Sequence, residues 1–321
     1  MDPTYRTAGT TTAPVVAIEG VSRHFGGRDK PAALDGISLT LPAGVVLGLV
    51  GENGAGKTTL IKHILGTLKA QRGSVRVFGL DPVAEPVAVL SRIGYLSEEP
   101  DLPGWMRVHE LVRYASAFYP TWDAAYAERL RAEFGLSLRA KVKELSKGQR
   151  ARAGLLVALA YRPPLLLLDE PSSGLDPIVR RDILGAIIRT TADEGRTVLF
   201  SSHLLAEVER VSNRIVMLKA GRVVFDGDLA DVKQSHRRLT LRFADPIASP
   251  PAVTGAYGWS GGGREWTALF DQPTGPAEAM LAERLGARVV GRGTATLDEI
   301  FVARAGAAAS GDASRHDGAT S

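Results

Sequence analysis

Gly51-Glu52-Asn53-Gly54-Ala55-Gly56-Lys57-Thr58 decides the fold of this chain, because it matches the phosphate-binding loop pattern GxxxxGK[ST]. The apolar run Val45–Val50 precedes it and the helix-like run Thr58–Leu68 follows it. A strand, a glycine-rich loop and a helix in this order form a nucleotide-binding unit. The glycines let backbone N–H groups approach phosphate oxygens, and the helix N-terminus adds partial positive charge. The sequence therefore predicts a nucleoside triphosphate site.

Within this segment, Lys57 is expected to reach the β- and γ-phosphates and the Thr58 hydroxyl to bind Mg²⁺. The other residues predicted to contact the nucleotide here are Gly51, Glu52, Asn53, Gly54, Ala55, Gly56 and Thr59.

The composition is that of an ordinary globular protein, with 321 residues, 45% hydrophobic and 23% charged. This length allows one large domain and a smaller one. The chain has no cysteine, which excludes disulfides, zinc–thiolate sites and iron–sulfur clusters. The net charge of +4 comes without a dense basic run interleaved with aromatic residues, so no nucleic-acid partner is expected.

No apolar run approaches the roughly 18–20 residues that a membrane helix needs. The longest, Leu155 to Leu168, is interrupted by Arg162-Pro163-Pro164. The polar start, Met1 to Pro14, lacks the apolar core of a signal peptide. We therefore expect a cytoplasmic protein whose membrane role, if it has one, depends on a partner.

Apolar segments alternate with amphipathic ones over about residues 15–232, which predicts an α/β domain. Predicted helices without strands at about residues 100–161 indicate a helical lobe inserted into that domain. The predicted strands are Val15–Glu19, Ile37–Leu41, Val45–Val50, Ser74–Phe78, Ile93–Leu96, Leu165–Leu168, Thr197–Phe200, Ile215–Leu218 and Val223–Phe225. The predicted helices are Thr58–Leu68, Val108–Phe118, Trp122–Phe134, Ser146–Ala160, Ile178–Thr191 and Leu204–Val211.

Residues 233–304 predict a small α+β accessory domain. The Pro- and Gly-rich stretch Asp245–Gly263 is expected to be a loop, and residues 1–14 and 305–321 are expected to be disordered. The predicted elements are strands at Leu239–Phe243, Trp266–Phe270 and Arg288–Val290, and helices at Pro276–Leu285 and Thr296–Arg304.

Two carboxylates, Asp169 and Glu170, follow the apolar strand Leu165–Leu168. Ligands of α/β sheets bind at the carboxyl ends of the strands, which is where these side chains are expected. Asp169 is suited to hold Mg²⁺, and Glu170 to polarise the water that attacks the γ-phosphate. Ser146, as a helix N-cap, and His203, after a strand, are weak signals when taken alone.

Together these residues resemble the ATP-binding subunits of ABC transporters, in order and spacing, over about residues 15–232. The matching segments are Gly51–Thr58 (Walker A), Leu145-Ser146-Lys147-Gly148-Gln149 (the LSGGQ signature), Leu165–Glu170 (Walker B), Ser173-Gly174-Leu175-Asp176 (D-loop), His203 (H-loop) and Phe25 (the aromatic that stacks on adenine).

The resemblance implies a P-loop ATPase in which two subunits face each other, with each ATP between the Walker A of one and the signature of the other. Ser146, Gly148, Gln149 and Asp176 would then contribute to nucleotide binding across the dimer. Glu170 and His203 would support hydrolysis, and separate membrane-spanning subunits would be the partners.

Other segments are similar to the exporter ATPases of the drug, antibiotic-resistance and sodium-export type. These are Phe118-Tyr119-Pro120-Thr121-Trp122-Asp123, Ser201-Ser202-His203-Leu204 and Thr296-Leu297-Asp298-Glu299-Ile300-Phe301. Two positions depart from the family pattern. Lys147 replaces the usual Gly and is expected either near a γ-phosphate or pointing outward. Glu98, assigned over Glu99, replaces the usual Gln and is expected to accept from a Mg²⁺-bound water.

The expected function is thus an ATPase that drives export at the inner face of the cell membrane. A soluble ABC ATPase acting on ribosomes or DNA and a non-catalytic regulatory subunit are the alternatives. Trp105 and Met106, directly after the Q-loop, are expected either to form the dock for the membrane partner or to pack under the helical lobe.

Overall fold

The computed structural model describes residues 13–26, 31–192, 195–253, 255–271, 280 and 282–301 of the chain. The chain divides into two compact units, Met1–Asp226 and Gly227–Ser321. The segments predicted to be disordered, residues 1–14 and 305–321, lie outside the described residues except for residues 13 and 14.

The strands up to the end of the first unit follow the apolar segments, with ends that differ by a few residues from the predicted ones. They are β1 (Val16–Arg23), β2 (Leu34–Leu41), β3 (Val46–Val50), β4 (Arg72–Val77), β5 (Ile93–Leu96), β6 (Leu165–Asp169), β7 (Thr197–Ser202), β8 (Arg214–Lys219) and β9 (Arg222–Asp228).

The helices of the first unit include one that the sequence does not predict, because five residues are too few to show a helical period. This helix, α2, has a proline in its first turn. The helices are α1 (Lys57–Ile64), α2 (Pro86–Leu90), α3 (Val108–Ser116), α4 (Ala124–Glu133), α5 (Lys147–Ala160), α6 (Pro177–Ala192) and α7 (Leu205–Val211).

The main sheet has six strands in the order β5-β6-β7-β3-β8-β9. The pairs from β5 to β8 are parallel, and every residue of β3, β6 and β7 is buried. Such continuous apolar strands are typical of a sheet covered on both faces. Asp169 of β6 lies opposite Ser201 of β7, and Val50 of β3 lies opposite Ser202. The phosphate loop, the carboxylates and the H-loop therefore leave the sheet side by side.

A second, antiparallel sheet has the order β2-β1-β4. One apolar cluster joins residues of this sheet, the main sheet and α1, and its members include Ile18, Leu39, Leu47, Leu49, Leu60 and Ile61. Residues 102–161 contain α3, α4, α5 and a turn of 3-10 helix at Val142–Glu144, and no strand. We call these residues the helical lobe.

The second unit contains α8 (Leu229–Ser235) and an antiparallel sheet in the order β11-β10-β12. Its strands are β10 (His236–Ile247), β11 (Ala256–Asp271) and β12 (Ala287–Thr294). Leu229 and Val232 of α8 are buried, and α8 contacts β10. The division of the chain therefore lies before α8, whereas the sequence predicts it after Val232.

The expectation of a loop at Asp245–Gly263 is wrong over much of its length. β10 continues to Ile247, β11 begins at Ala256, and Ile247 lies opposite Gly263. Gly258, Gly261 and Gly263 have positive φ angles of 62°, 121° and 59°, which glycine adopts without strain. These glycines shape an irregular strand pair, as glycines do in β-bulges.

Two helices predicted in this unit lie only partly within the described residues. Of Pro276–Leu285, the described residues 280 and 282–284 are helical. Of Thr296–Arg304, residues 297–301 are helical, and Leu297 and Ile300 are buried.

Candidate nucleotide-binding site

The phosphate loop connects β3 to α1 and has room only for glycine at two positions. A Cβ atom at Gly51 would lie 2.4 Å from the Leu218 carbonyl oxygen. At Gly56 it would lie 2.6 Å from the Ala33 carbonyl oxygen, and Gly56 has a φ of 109°. Within the loop the Ala55 N–H donates to the Glu52 carbonyl at 3.1 Å. The sequence folds here into a tight loop that ends on the first turn of α1.

A cavity of about 290 Å³ opens beside this loop. It brings together predicted residues from the Walker A, Walker B and Q-loop segments. Glu98 lines it, whereas its neighbour Glu99 is not among the lining residues. The lining residues are Ala33, Asn53, Gly54, Gly56, Lys57, Thr58, Thr59, Glu98 and Glu170.

Lys57 is the cation at the base of this site and is only 5% exposed. Its Nζ donates to the carbonyl oxygens of Gly51 at 2.6 Å and Glu52 at 3.2 Å. The same Nζ lies 3.0 Å from Oε1 of Glu170. A buried charge needs such partners, because burial costs several kcal/mol per ion when it is unpaired. The ammonium is thus held between the phosphate loop and Walker B.

Glu170 is held by contacts with three residues, Lys57, His203 and Ser201. Its Oε2 lies 2.8 Å from Nδ1 of His203, and its backbone N–H donates to Oγ of Ser201 at 2.9 Å. Its φ of 50° lies in the left-handed region, which costs energy for a residue other than glycine. Strain of this kind concentrates at functional positions, so the conformation marks Glu170 as a constrained residue.

Asp169 lies beside Thr58 at the end of β6 and is 3% exposed. Its Oδ1 accepts from Oγ of Ser201 at 2.8 Å. Burial raises the pKa of the Asp169 carboxyl above its usual value, and hydrogen bonds from Thr58 and Ser201 offset part of that rise. A cation beside this carboxylate would stabilise its charged form.

The donor set therefore fits Mg²⁺, which prefers oxygen ligands and binds through one or two carboxylates plus substrate phosphates. Among the described residues there is no group of three or more His, Asp or Glu side chains arranged for a metal. Thr58, Asp169 and Glu98 are the residues that would hold Mg²⁺.

The signature residues lie outside this cavity. Ser146 caps α5, since its Oγ accepts from the Gln149 N–H at 3.2 Å and its own N–H donates to Oε1 of Gln149 at 3.0 Å. Asp176 begins α6 and accepts from the N–H groups of Ile178 and Val179 at 3.0 and 3.1 Å. These contacts are local helix caps, and they leave the two side chains at the surface.

Lys147 extends over the D-loop. A Cβ atom added to Gly174 would lie 2.8 Å from Nζ of Lys147, and both residues are exposed. The neighbouring Gly148 packs against α6, because a Cβ atom there would lie 2.8 Å from Cγ2 of Val179. Within one chain the lysine therefore lies at the surface, beside Gly174 of the D-loop.

Phe25 is half exposed, and the Arg23 guanidinium lies 4.9 Å from its ring centroid. Phe25 follows β1 and does not line the cavity. The structure thus brings Lys57, Thr58, Glu98 and Glu170 to one cavity and leaves Phe25 and the signature outside it.

Trp105 and Met106 differ in environment. Trp105 is 73% exposed, whereas Met106 is 5% exposed. The sequence treats them as one pair, but a turn places one ring in solvent and the other side chain in the core of the helical lobe.

Sequence reasoning missed Ser201, which donates to Asp169 and accepts from the Glu170 N–H. The apolar run predicts that the seventh strand ends at Phe200, whereas β7 continues to Ser202. The signal that would have found it is a pair of serines at the end of one apolar strand, when the preceding apolar strand ends in carboxylates; Ser201 lies opposite Asp169.

Comparison with known proteins shows the family of the chain. Residues 34–173 match the family model described as ABC transporter. The daunorubicin/doxorubicin resistance ATP-binding protein DrrA of Streptomyces peucetius is 34% identical over 317 residues, which cover 92% of this chain and 94% of DrrA. The ABC transporter ATP-binding protein NatA of Bacillus subtilis (strain 168) is 34% identical over 71% of this chain and 96% of NatA.

Solved structures agree with the fold. A structure described as the ATP-binding subunit of an ABC transporter has a TM-score of 0.62 and 30% identity, over 68% of this chain and 92% of that chain. The ATP-binding cassette MJ0796, in a dimeric post-hydrolysis state bound to ADP and Pi, has a TM-score of 0.60 and 24% identity, over 67% of this chain and 98% of that chain.

These matches confirm the P-loop ATPase fold and the family predicted from the motifs. None of the helices in the described ranges is long and apolar enough to cross a membrane. The chain is an ATP-binding, ATP-hydrolysing subunit of the ABC transporter family.

Proposed function

We propose that this subunit hydrolyses ATP at the cytoplasmic face of the cell membrane to drive substrate export through separate membrane-spanning subunits. The observation that carries the proposal is the contact of Glu170 with both Lys57 and His203, at 3.0 and 2.8 Å. DrrA, a drug-resistance protein by name, aligns over nearly the whole chain, the second unit included. That extent supports the exporter assignment.

In the proposed reaction Glu170 accepts a proton from water while the water oxygen bonds to the γ-phosphorus. The bond from that phosphorus to the bridging oxygen breaks, which leaves ADP and inorganic phosphate. His203 holds the Glu170 carboxylate in position through its Nδ1 contact. A positioned general base of this kind contributes roughly 10²–10⁴-fold to the rate.

Lys57 links nucleotide binding to this base. Its ammonium contacts Oε1 of Glu170 and two carbonyl oxygens of the phosphate loop. Phosphate oxygens entering the loop compete for the same ammonium, since they carry more negative charge than carbonyls. Binding of ATP would therefore free one oxygen of Glu170 to face the attacking water.

Mg²⁺, when bound, neutralises charge on the phosphate oxygens. Thr58, Asp169 and Glu98 are the proposed ligands or water-mediated contacts. Adenine is proposed to stack on Phe25, whose ring is half exposed.

Two copies of the chain are proposed to complete two sites. Ser146, Gly148, Gln149 and Asp176 do not line the cavity of their own chain. Facing copies would bring the signature of one to the nucleotide on the other, as the dimeric state of MJ0796 supports by analogy. A homodimer is the simplest such pair.

The exposed Trp105 is proposed as an anchor for the membrane-spanning partner, because exposed Trp residues are often energetic centres of interfaces. The alternative of a ribosome- or DNA-acting ATPase has no support among these relatives, which carry transporter or resistance names.

Co-expression with the product of the neighbouring gene tests the proposal, and we expect that product to be a polytopic membrane protein. We expect a stable complex with ATP turnover, and a weaker complex with Trp105→Ala. Recovery of the chain with ribosomes or DNA in place of that membrane protein would contradict it.

A further inference from the structure

A buried carboxylate outside the predicted motifs lies close behind the catalytic residues. Glu207 of α7 is 5% exposed. A carboxylate at this depth is stable only when other groups satisfy its charge, and removing one partner of a buried charge is strongly destabilising. Its contacts therefore indicate which parts of the molecule it holds.

Glu207 contacts three segments of the chain. Its Oε2 accepts from Oγ of Ser172 at 2.5 Å and from Oγ of Ser202 at 3.1 Å. Its Oε1 lies 3.1 Å from Nε of Arg180. Ser172 follows β6, Ser202 ends β7 and Arg180 lies in α6.

Two of these partners flank the catalytic pair. Ser172 comes two residues after Glu170, and Ser202 directly precedes His203. The Ser202 hydroxyl also accepts from the N–H of Leu204 at 3.0 Å, so it spans the turn that carries His203. Glu207 thus joins the segment after the base to the turn that holds the imidazole.

The third partner extends the network to the D-loop. Arg180 Nη2 donates to the Leu175 carbonyl at 3.4 Å, and the Arg180 N–H donates to the Asp176 carbonyl at 3.0 Å. One carboxylate therefore connects the H-loop, the Walker B segment and the D-loop, all on the same edge of the sheet.

We propose that Glu207 is a positioning residue for ATP hydrolysis, which sets the separation of Glu170 and His203 through Ser172 and Ser202. It does not touch the nucleotide. The inference rests on the proposed roles of Glu170 and His203. Glu207 accepts both hydroxyls at Oε2 and faces Arg180 with Oε1, so the carboxylate serves all three partners at once. A glutamine that keeps both hydroxyls on its single acceptor oxygen turns its NH2 group toward the Arg180 guanidinium, which cannot accept a hydrogen bond.

The test uses the full chain and the variant Glu207→Gln, with Glu170→Gln and the exposed Arg210→Gln of the same helix measured in parallel. We expect Glu207→Gln to lower turnover about 10- to 100-fold, the scale of an ångström-level misplacement, with an unchanged dissociation constant for ATP. Arg210→Gln should match the wild type. Ser202→Ala should lower turnover less, and in the double variant the two losses should add incompletely, because both changes act on one hydrogen-bond and ion-pair network.

Wild-type turnover in Glu207→Gln would overturn the inference, and so would a loss of turnover matched by an equal loss of ATP affinity. If Glu170→Gln is inactive while Glu207→Gln is fully active, only the positioning role fails. If Glu170→Gln is active, the proposed catalytic role of Glu170 fails, and the positioning role of Glu207 fails with it. Should Glu207→Gln not fold, unchanged turnover in both Ser172→Ala and Ser202→Ala would overturn the inference.

Discussion

Two regions of the ATPase unit differ in how far one chain completes them. The catalytic cluster, which we define as Lys57, Asp169, Glu170, Ser201 and His203, has its three charged Walker residues at most 7% exposed and joined by contacts within the chain. The signature surface, defined as Ser146, Lys147, Gly174 and Asp176, is exposed, and its contacts are mostly local helix caps.

The difference follows from the sheet. The parallel strands β3, β6 and β7 end side by side, and Lys57, Asp169, Glu170 and Ser201 are buried near their carboxyl ends. The signature surface lies at the starts of α5 and α6, where capping side chains satisfy the backbone and remain in solvent. The catalytic cluster is therefore assembled by the folding of one chain, whereas the signature surface is available to a partner. Substitutions in the two regions should therefore differ in which measured property they change.

The largest effect is expected for Glu170→Gln in the catalytic cluster. The change keeps the shape of the side chain and removes the base, so turnover should fall by roughly 10²–10⁴-fold while ATP still binds. Steady-state turnover and equilibrium ATP binding measure the two effects. Retention of most of the wild-type turnover would show that another group acts as the base.

Lys57→Ala should act on binding itself, because the ammonium that contacts phosphate is lost. Hydrogen bonds to charged groups contribute about 1.5–3 kcal/mol, which corresponds to a roughly 10- to 100-fold weaker affinity for ATP. The variant also leaves Glu170 without its cation, so the nucleotide-free chain should unfold at a lower temperature. Equilibrium binding and thermal unfolding report these results, and unchanged affinity would exclude the phosphate role.

Outside both regions, Trp105→Ala and Met106→Ala form a matched pair. The exposed Trp105 should be dispensable for folding and ATP binding, while its loss weakens the complex with the membrane partner by about 2 kcal/mol, or roughly 30-fold. Met106→Ala removes a buried side chain, so it should instead lower the free energy of unfolding by about 2–5 kcal/mol. Partner recovery and thermal unfolding separate the outcomes. If Trp105→Ala lowered the thermal stability of the subunit and left partner binding intact, Trp105 would not be the anchor for the membrane partner.

The smallest effect is expected for Phe25→Ala. Loss of base stacking on this half-exposed ring should cost about 1 kcal/mol, so the Michaelis constant for ATP should rise about 5-fold, with a smaller change in turnover. GTP should compete moderately well, because stacking tolerates either base. An unchanged Michaelis constant would indicate that His24 or Tyr5, and not Phe25, stacks on adenine.

The sequence predicts the buried region well for a physical reason. Glycines at the phosphate loop and carboxylates after a continuous apolar strand are dictated by the backbone geometry and by burial, so their positions are readable from local residue types. β5 has the predicted bounds, and the main strands keep their predicted centres.

What the sequence does not predict depends on contacts between distant segments. The contacts of Glu207 join α7 to segments 5–35 residues away in sequence. The opposite environments of Trp105 and Met106 follow from a turn that no periodicity reveals. Only the second part of β11, Trp266–Phe270, is predicted from the sequence, because the glycines of its first part are also the usual signal for a loop.

The association state of Glu170→Gln tests the comparison most directly, measured by light scattering after size-exclusion chromatography. With ATP and Mg²⁺ this variant should form a dimer that dissociates when the nucleotide is removed, because the signature surface of each copy then closes the site of the other. Adding Ser146→Arg should abolish that dimer and leave ATP binding to the monomer intact. A Glu170→Gln variant that binds ATP yet stays monomeric, or a dimer indifferent to Ser146→Arg, would contradict the account.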